Sequence, residues 1–282
     1  MAQSTPLHTD DVATRVGTVQ VRRGGAREGT PVVYLHSAQG EGESLVFLDR
    51  VAEQRPVVAP MFPGFGESEG IDQIDDMDDA VFHLLDLWDL LGFEAGRYPA
   101  VVGLSLGGWM AVELATRYPE KVAAMVLVNP AGLYLEGHPI KDIFGRRPGE
   151  LAEDMFYDQD HPVAQLMHAL NQLSADVGRQ IEIPFEAIKP VATTMAATAK
   201  LGWDPYLHNP KLPGRLWRVA CPTLVVHGVE DKLIPPAHAA YYAENIAAAQ
   251  YIDVPQAAHM VPWEKPDELA QIVGDFLRTA SS

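Results

Sequence analysis

The chain has 282 residues and a formal charge of −17, from 21 Lys and Arg against 38 Asp and Glu, and 47% of it is hydrophobic. That length can bury a large core and fits one domain carrying an insertion. The acidic balance argues against nucleic acid and anionic membrane surfaces as partners and otherwise favours solubility. No run of about 18 apolar residues is present to span a bilayer. A single cysteine, Cys221, excludes an internal disulfide, and its place beside an apolar run gives it a core role. The start, Met1 to Pro6, lacks a basic segment followed by an apolar one, so no secretory leader is expected and a reducing cytoplasm is the expected location.

In chain order, strand-like stretches run from about Val12 to Arg22, Gly24-Gly25 reads as a turn, and Pro31 to Leu35 as a buried strand. The acid run from Asp72 to Asp79 precedes a helical pattern through Val81, Leu84, Leu85, Trp88 and Leu91. Acids at a helix start complement its dipole, whereas the spacing lacks the glycine and terminal glutamate of a calcium loop. No metal site or cofactor is expected. Tyr98 to Val102 predicts a strand, and Trp109 to Ala115 a core-facing helix ending near Tyr118-Pro119. Alternation of strands and helices continues to Asn129.

From Gly132 to about Arg218 the pattern turns helical, rich in Ala, Met and His, and broken by Pro148, Pro162, Pro184, Pro190 and Pro205. Its large apolar residues, among them Met155, Phe156, Met167, Met195 and Trp203, face either a pocket or the segment's own core. The histidines there, His138, His161, His168 and His208, show no metal-ligand spacing. Pro222 to Gly228 reads as a buried strand, Gln250 to Val254 as the last strand, and Pro266 to Arg278 as an amphipathic helix. His227 ends its strand as a hydrogen-bonded core residue.

The chemistry sits at the junctions. Gly103-Leu104-Ser105-Leu106-Gly107 lies where a predicted strand meets a predicted helix, the context of a nucleophile elbow. A serine hydroxyl needs a base to take its proton and an acid to orient that base, in the chain order Ser, Asp or Glu, His. Asp231 follows the strand ending at Gly228, and His259 follows the last strand.

With these pieces in order, the chain resembles α/β-hydrolases along nearly its whole length: Leu35-His36, Pro63-Gly64-Phe65-Gly66-Glu67-Ser68, the elbow at Ser105, Gly228-Val229-Glu230-Asp231 and the loop at His259. The resemblance implies an α/β fold with a mostly parallel eight-stranded sheet flanked by helices, residues 1–132 and 219–282, and an inserted helical cap, residues 133–218. It offers two places for the acid, after the sixth strand or the seventh. Asn129 stands at the first and cannot carry charge, which leaves Asp231, with Glu230 one place short. The resemblance also places oxyanion donors at the backbone N–H of Leu106 and of Ala38. Here His36-Ser37-Ala38 departs from the usual His-Gly-x, and Ser37 offers a hydroxyl as a further donor. His36 orients that loop.

A serine at the elbow, where dehalogenases and epoxide hydrolases of the superfamily carry aspartate, implies acyl transfer from a carbonyl. The expected activity is a serine hydrolase acting on a carboxylic ester or lactone of a small, largely apolar substrate. The alternative is a carbon–carbon bond hydrolase for a ring-cleavage dienoate or diketone. It ranks second because such enzymes usually carry Asn before the nucleophile and Trp after the histidine, where this chain has Leu104 and Met260. A ligand-binding member without turnover is the third reading. Candidate substrate contacts are Ser37, Leu104, Trp203 and Met260. The oligomeric state stays open, with a homodimer compatible.

Overall fold

The structure, a computed structural model, describes residues 5–42, 45–176, 185–247 and 249–280. The break expected at Pro184 lies outside the described residues. Eight strands form one sheet: β1 Thr5–Ala13, β2 Thr18–Gly25, β3 Val32–Leu35, β4 Pro56–Pro60, β5 Ala100–Leu104, β6 Ala124–Val128, β7 Thr223–Gly228 and β8 Gln250–Val254. Their order is β1-β2-β4-β3-β5-β6-β7-β8. β2 runs antiparallel to both neighbours and every other pair is parallel.

β3, β5, β6 and β7 are buried at every residue. Helices cover both faces of these central strands, so their sequences are continuous apolar runs without alternation. β8, with Gln250, Tyr251 and Asp253, is an exposed edge. Around the sheet stand α1 Val46–Ala52, α2 Met77–Leu90, α3 Leu106–Arg117, α7 Pro236–Asn245, α8 Val261–Glu264 and α9 Pro266–Ala280. The helix α3 is buried from Leu106 to Thr116. The acid run serves α2: Asp76 caps it, its carboxylate accepting the N–H groups of Asp78 at 2.8 Å and Asp79 at 3.0 Å.

Three helices, α4 Pro148–Met155, α5 Pro162–Asp176 and α6 Phe185–Gly202, lie between β6 and β7. Pro148 and Pro162 occupy first helical positions, where a missing N–H costs nothing, so they start helices instead of breaking them. Pro190 sits inside α6, against the expected break. An interior proline forfeits one ladder bond, and the helix carries on beyond it to Gly202.

The amino-terminal turn also differs from expectation. The β1–β2 hairpin turns at Thr14–Gly17, closed by the Thr14 N–H to the Gly17 carbonyl at 2.9 Å. Gly25 remains in β2, paired with Pro56, at a φ of +94 that glycine adopts freely. No helix among the described residues is long and apolar enough to cross a membrane. The parallel register brings the carboxyl ends of β3, β4, β5, β6, β7 and β8 to one edge of the sheet, where ligands approach such folds.

Candidate active site

Ser105 stands at the carboxyl end of β5, between strand and α3, with φ +54 and ψ −112. Such angles are strained for a residue with a Cβ and persist only where the surroundings fix them. A Cβ on Gly107 would lie 2.0 Å from the Leu35 carbonyl oxygen, and one on Gly103 would lie 2.4 Å from that of Gly107. Only glycine lets the turn close so tightly. The Ser105 N–H donates to the Val128 carbonyl at 3.0 Å, which pins the turn to β6.

Beyond β7, the Asp231 carboxylate accepts from the N–H groups of Leu233 at 2.8 Å and Ile234 at 2.9 Å through Oδ1, and its Oδ2 lies 2.8 Å from His259 Nδ1. Both side chains are buried, at 0% and 1% exposure. Two backbone donors fix the carboxylate, the carboxylate fixes the ring, and Nε2 is left as the ring's free nitrogen. Ser105 and His259 line one cavity. Glu230, the weaker acid candidate, instead accepts the Ala257 N–H at 3.0 Å and braces the histidine loop.

Asn129 and Glu264 hold that loop as well, and sequence reasoning assigned neither of them this task. The Asn129 amide donates to the carbonyls of Ala258 at 3.0 Å and His259 at 2.9 Å, while its Oδ1 accepts the Gly228 N–H at 2.9 Å. One side chain therefore ties the ends of β6 and β7 to the loop that carries the histidine. Its φ of +41 suits asparagine better than most residues. The polar residue closing an apolar strand was the only sequence signal for it. The Glu264 carboxylate accepts the N–H groups of Ala258 at 2.7 Å, Tyr157 at 2.8 Å and Asp158 at 2.9 Å, joining the histidine loop to the end of α4. Burial pushes its carboxyl above the ordinary glutamate range.

Ala38 and Leu106 line the same cavity as Ser105. The Leu106 N–H, in the first turn of α3, has no intrahelical partner, and among the described residues the Ala38 N–H has no internal acceptor. His36 plays the orienting part expected of it. Its Nε2 accepts the Phe62 N–H at 2.9 Å, so Nδ1 carries the proton and donates to the Ser37 carbonyl at 2.7 Å. Burial pushes its pKa down and keeps the ring neutral. His227 is buried and meets Asp253 at 3.2 Å, away from the cavity.

The expected substrate contacts need correction. Ser37 lines the cavity, but its hydroxyl donates to Glu41 at 2.5 Å and is not offered to a ligand. Leu104 is packed inside the sheet, Met260 is fully buried, and neither lines the cavity. Trp203 is 63% exposed at the end of α6, its ring against Phe144 on the surface. Beside the polar Gln39, the residues that do line the cavity with Ser105 are apolar: Ile140, Ile143, Met155 and Leu207 from the segment between β6 and β7, with Leu233 and Ile234 beyond Asp231. The composition of the stretch from Gly132 to Arg218 showed the apolar character but not which residues line the cavity. The cavity is narrow, its volume of about 10 Å³ being close to what one water molecule needs. A larger open groove, about 790 Å³, lies at the amino ends of the strands beside Arg27, Pro31, Arg97 and Tyr98, remote from Ser105.

Residues 30–266 match the family model described as the alpha/beta hydrolase fold. The chain is 30% identical over 271 residues to a 2-hydroxymuconate semialdehyde hydrolase of Pseudomonas sp. strain CF600, covering 90% of this chain and 89% of that protein. It is 27% identical over 273 residues to a 2-hydroxy-6-oxo-6-(2'-aminophenyl)hexa-2,4-dienoic acid hydrolase of Metapseudomonas resinovorans, covering 93% and 88%. Among solved structures, a 2-hydroxy-6-oxo-6-phenylhexa-2,4-dienoate hydrolase from Rhodococcus sp. strain RHA1 superposes with a TM-score of 0.74 at 21% identity, covering 97% of this chain and 100% of that one.

Proposed function

This chain belongs to the alpha/beta hydrolase fold family and is a hydrolase, and from that premise we propose that it cleaves a carbon–carbon bond beside a ketone in a ring-cleavage dienoate. The reading rests on Ser105 as nucleophile, His259 as base and Asp231 as its orienting acid. The observation that carries it is the likeness, over about nine-tenths of the chain, to two relatives named as hydrolases of such compounds. A 2-hydroxy-6-oxo-dienoate contains no ester, so water can divide it only at a carbon–carbon bond next to a carbonyl. The expected ranking, ester first, is thereby reversed.

The geometry supports the steps. His259 Nε2 takes the Ser105 proton as Oγ bonds to the ketone carbon, and the carbonyl oxygen gains charge facing the N–H groups of Ala38 and Leu106. Collapse of the adduct breaks the carbon–carbon bond. The step requires the 2-keto tautomer of the substrate, its enol proton moved to the carbon beside the attacked ketone, so that the electron pair passes through the remaining double bond to the 2-keto oxygen, which takes the imidazolium proton as the enol fragment leaves. Water, deprotonated by His259, then hydrolyses the acyl-serine. Residues 133–218 act as the cap that closes over this chemistry and excludes water.

Ester or lactone hydrolysis is the second reading, favoured by the cavity itself. Apart from Ser37, Gln39, Ser105 and His259 its lining is apolar, among the described residues no Lys or Arg is there to meet a dienoate carboxylate, and Leu104 and Met260 stand where Asn and Trp are usual in carbon–carbon hydrolases. Assays in parallel separate the two: bleaching of a coloured 2-hydroxy-6-oxo-dienoate against release of p-nitrophenol from short-chain esters. The proposal expects kcat/KM for the dienoate to be greater by about tenfold or more, a difference of about 1.4 kcal/mol in transition-state binding. Ester turnover with dienoate bleaching no faster than in Ser105→Ala would reverse the order. Thermal stabilisation by either compound without turnover would mark a binding protein.

A further inference from the structure

The loop after β3 departs from the glycine pattern usual at this place, and a buried carboxylate holds the departure in position. Glu41 is 5% exposed. Its Oε1 accepts the Ser37 N–H and the Tyr34 hydroxyl, both at 2.8 Å, and its Oε2 accepts the Ser37 hydroxyl at 2.5 Å. The Ser37 oxygen in turn accepts the Gln39 N–H at 3.0 Å, and the Ser37 carbonyl accepts the Gly40 N–H at 3.1 Å. From Ser37 to Gly40, every N–H but one has a partner within the loop. The exception is Ala38, which lines the cavity with Ser105.

We propose that Glu41, acting through Ser37, is the positioning residue that presents the Ala38 N–H to the oxyanion. The inference rests on the serine-hydrolase reading of Ser105. With glycine at position 37 the loop would keep only its backbone N–H on Glu41, and the Gln39 N–H would lose its acceptor and compete with Ala38 as the exposed donor. The Ser37 hydroxyl and the Glu41 carboxylate together remove that competition. The carboxylate is a poor candidate for direct charge stabilisation, since a negative group beneath the loop opposes a developing oxyanion. Its three accepted bonds all come from Tyr34 and Ser37, which makes its contribution one of shape. Glu41 also makes itself felt at Tyr34, whose phenol is pushed well above its ordinary pKa by burial first and by the carboxylate second.

The test is the second-order rate of phosphonylation by a fluorophosphonate, read by intact mass, with melting temperature and the pH dependence of labelling measured alongside. Misplacing one oxyanion donor costs about 10²-fold, so Glu41→Ala is expected to label about 10²-fold more slowly. Glu41→Gln, which can still accept the Ser37 N–H and Tyr34 hydroxyl, is expected to stay within about tenfold of wild type, and Ser37→Ala to fall between. All three should keep the wild-type shape of the pH profile, because Asp231 and His259 are untouched. A folded Glu41→Ala that labels at the wild-type rate would overturn the inference. Should Glu41→Ala fail to fold, Ser37→Ala decides: slower labelling supports the tether, and an unchanged rate refutes it. A wild type that does not label removes the serine-hydrolase reading itself, a result distinct from a labelled wild type with indifferent variants.

Discussion

At the scale of single residues, the site rests on a chain of fixed orientations from two backbone N–H groups to Asp231, and from Asp231 to His259. Asp231→Asn keeps the shape but offers no charge to an imidazolium and favours the wrong ring tautomer. It should leave the melting temperature nearly unchanged and lower kcat by about 10⁴-fold. Retention of more than a tenth of the wild-type kcat would move the acid elsewhere. A second prediction concerns His83, buried against Phe62 with its Nε2 unpartnered. Burial lowers its pKa from 6.5 to about 4. The unfolded chain therefore takes up a proton as pH falls below 6.5 while the folded chain declines it until about 4. Stability supplied by the neutral ring is present above that window and lost on acidification through it, by about 3 kcal/mol. His83→Leu should flatten this part of the stability curve in urea titrations between pH 7 and 4, and an unchanged slope would assign the loss to other groups. Ser105, Asp231 and His259 were legible in the sequence as candidates because each follows a segment that reads as a strand. The part played by Glu41 was not, since a glutamate in a loop reads as solvated surface until its three donors are seen around it.

At the scale of elements, the central strands could be read because burial on both faces demands continuous apolar runs, as in Val32 to Leu35 and Ala124 to Val128. Edges were harder. Polar residues blurred the bounds of β1 and β2, read as strand-like stretches near Val12 to Arg22, and the hairpin at Thr14–Gly17 carries no Asn-Gly or Asp-Gly signal. The junction of β6, β7 and the histidine loop depends on Asn129, whose role no local pattern reveals because its partners are more than ninety residues away. Asn129→Gly keeps access to a φ of +41 and deletes the clamp, while Asn129→Ala deletes the clamp and adds backbone cost. Both should lower kcat by a similar factor, about tenfold, and Ala should be the less stable of the two by about 1 kcal/mol. Equal stability would mean that the backbone conformation there is not what asparagine was needed for. Unchanged kcat in both would leave the histidine held by Glu230 and Glu264 alone.

At the scale of the whole molecule, the topology gathers the carboxyl ends of six parallel strands on one edge, and described residues between β6 and β7 lie over Ser105 there. That segment is tied to the loops that carry Asp231 and His259: the Lys232 N–H donates to the Asp154 carbonyl at 3.3 Å and the Met260 N–H to the Met155 carbonyl at 3.1 Å. The fold was legible as a sequence of motifs, whereas the pocket was not, because its walls come from Ile140, Ile143, Met155 and Leu207, scattered along a segment of similar composition. With space for about one water over Ser105, any acyl group must displace wall side chains. Met155→Ala should therefore lower KM several-fold for the bulkier members of a substrate series while costing about 2–5 kcal/mol in stability. A KM unchanged across the series would place the accommodating wall elsewhere. The charge of −17 gives the molecule a surface that repels polyanions, consistent with a small-molecule substrate.

The account turns on Ser105 being an activated nucleophile, and intact-mass analysis after fluorophosphonate treatment of wild type and Ser105→Ala tests that most directly. A single adduct on the wild type and none on the variant is the predicted result. An unlabelled wild type, or equal labelling of the variant, would contradict it.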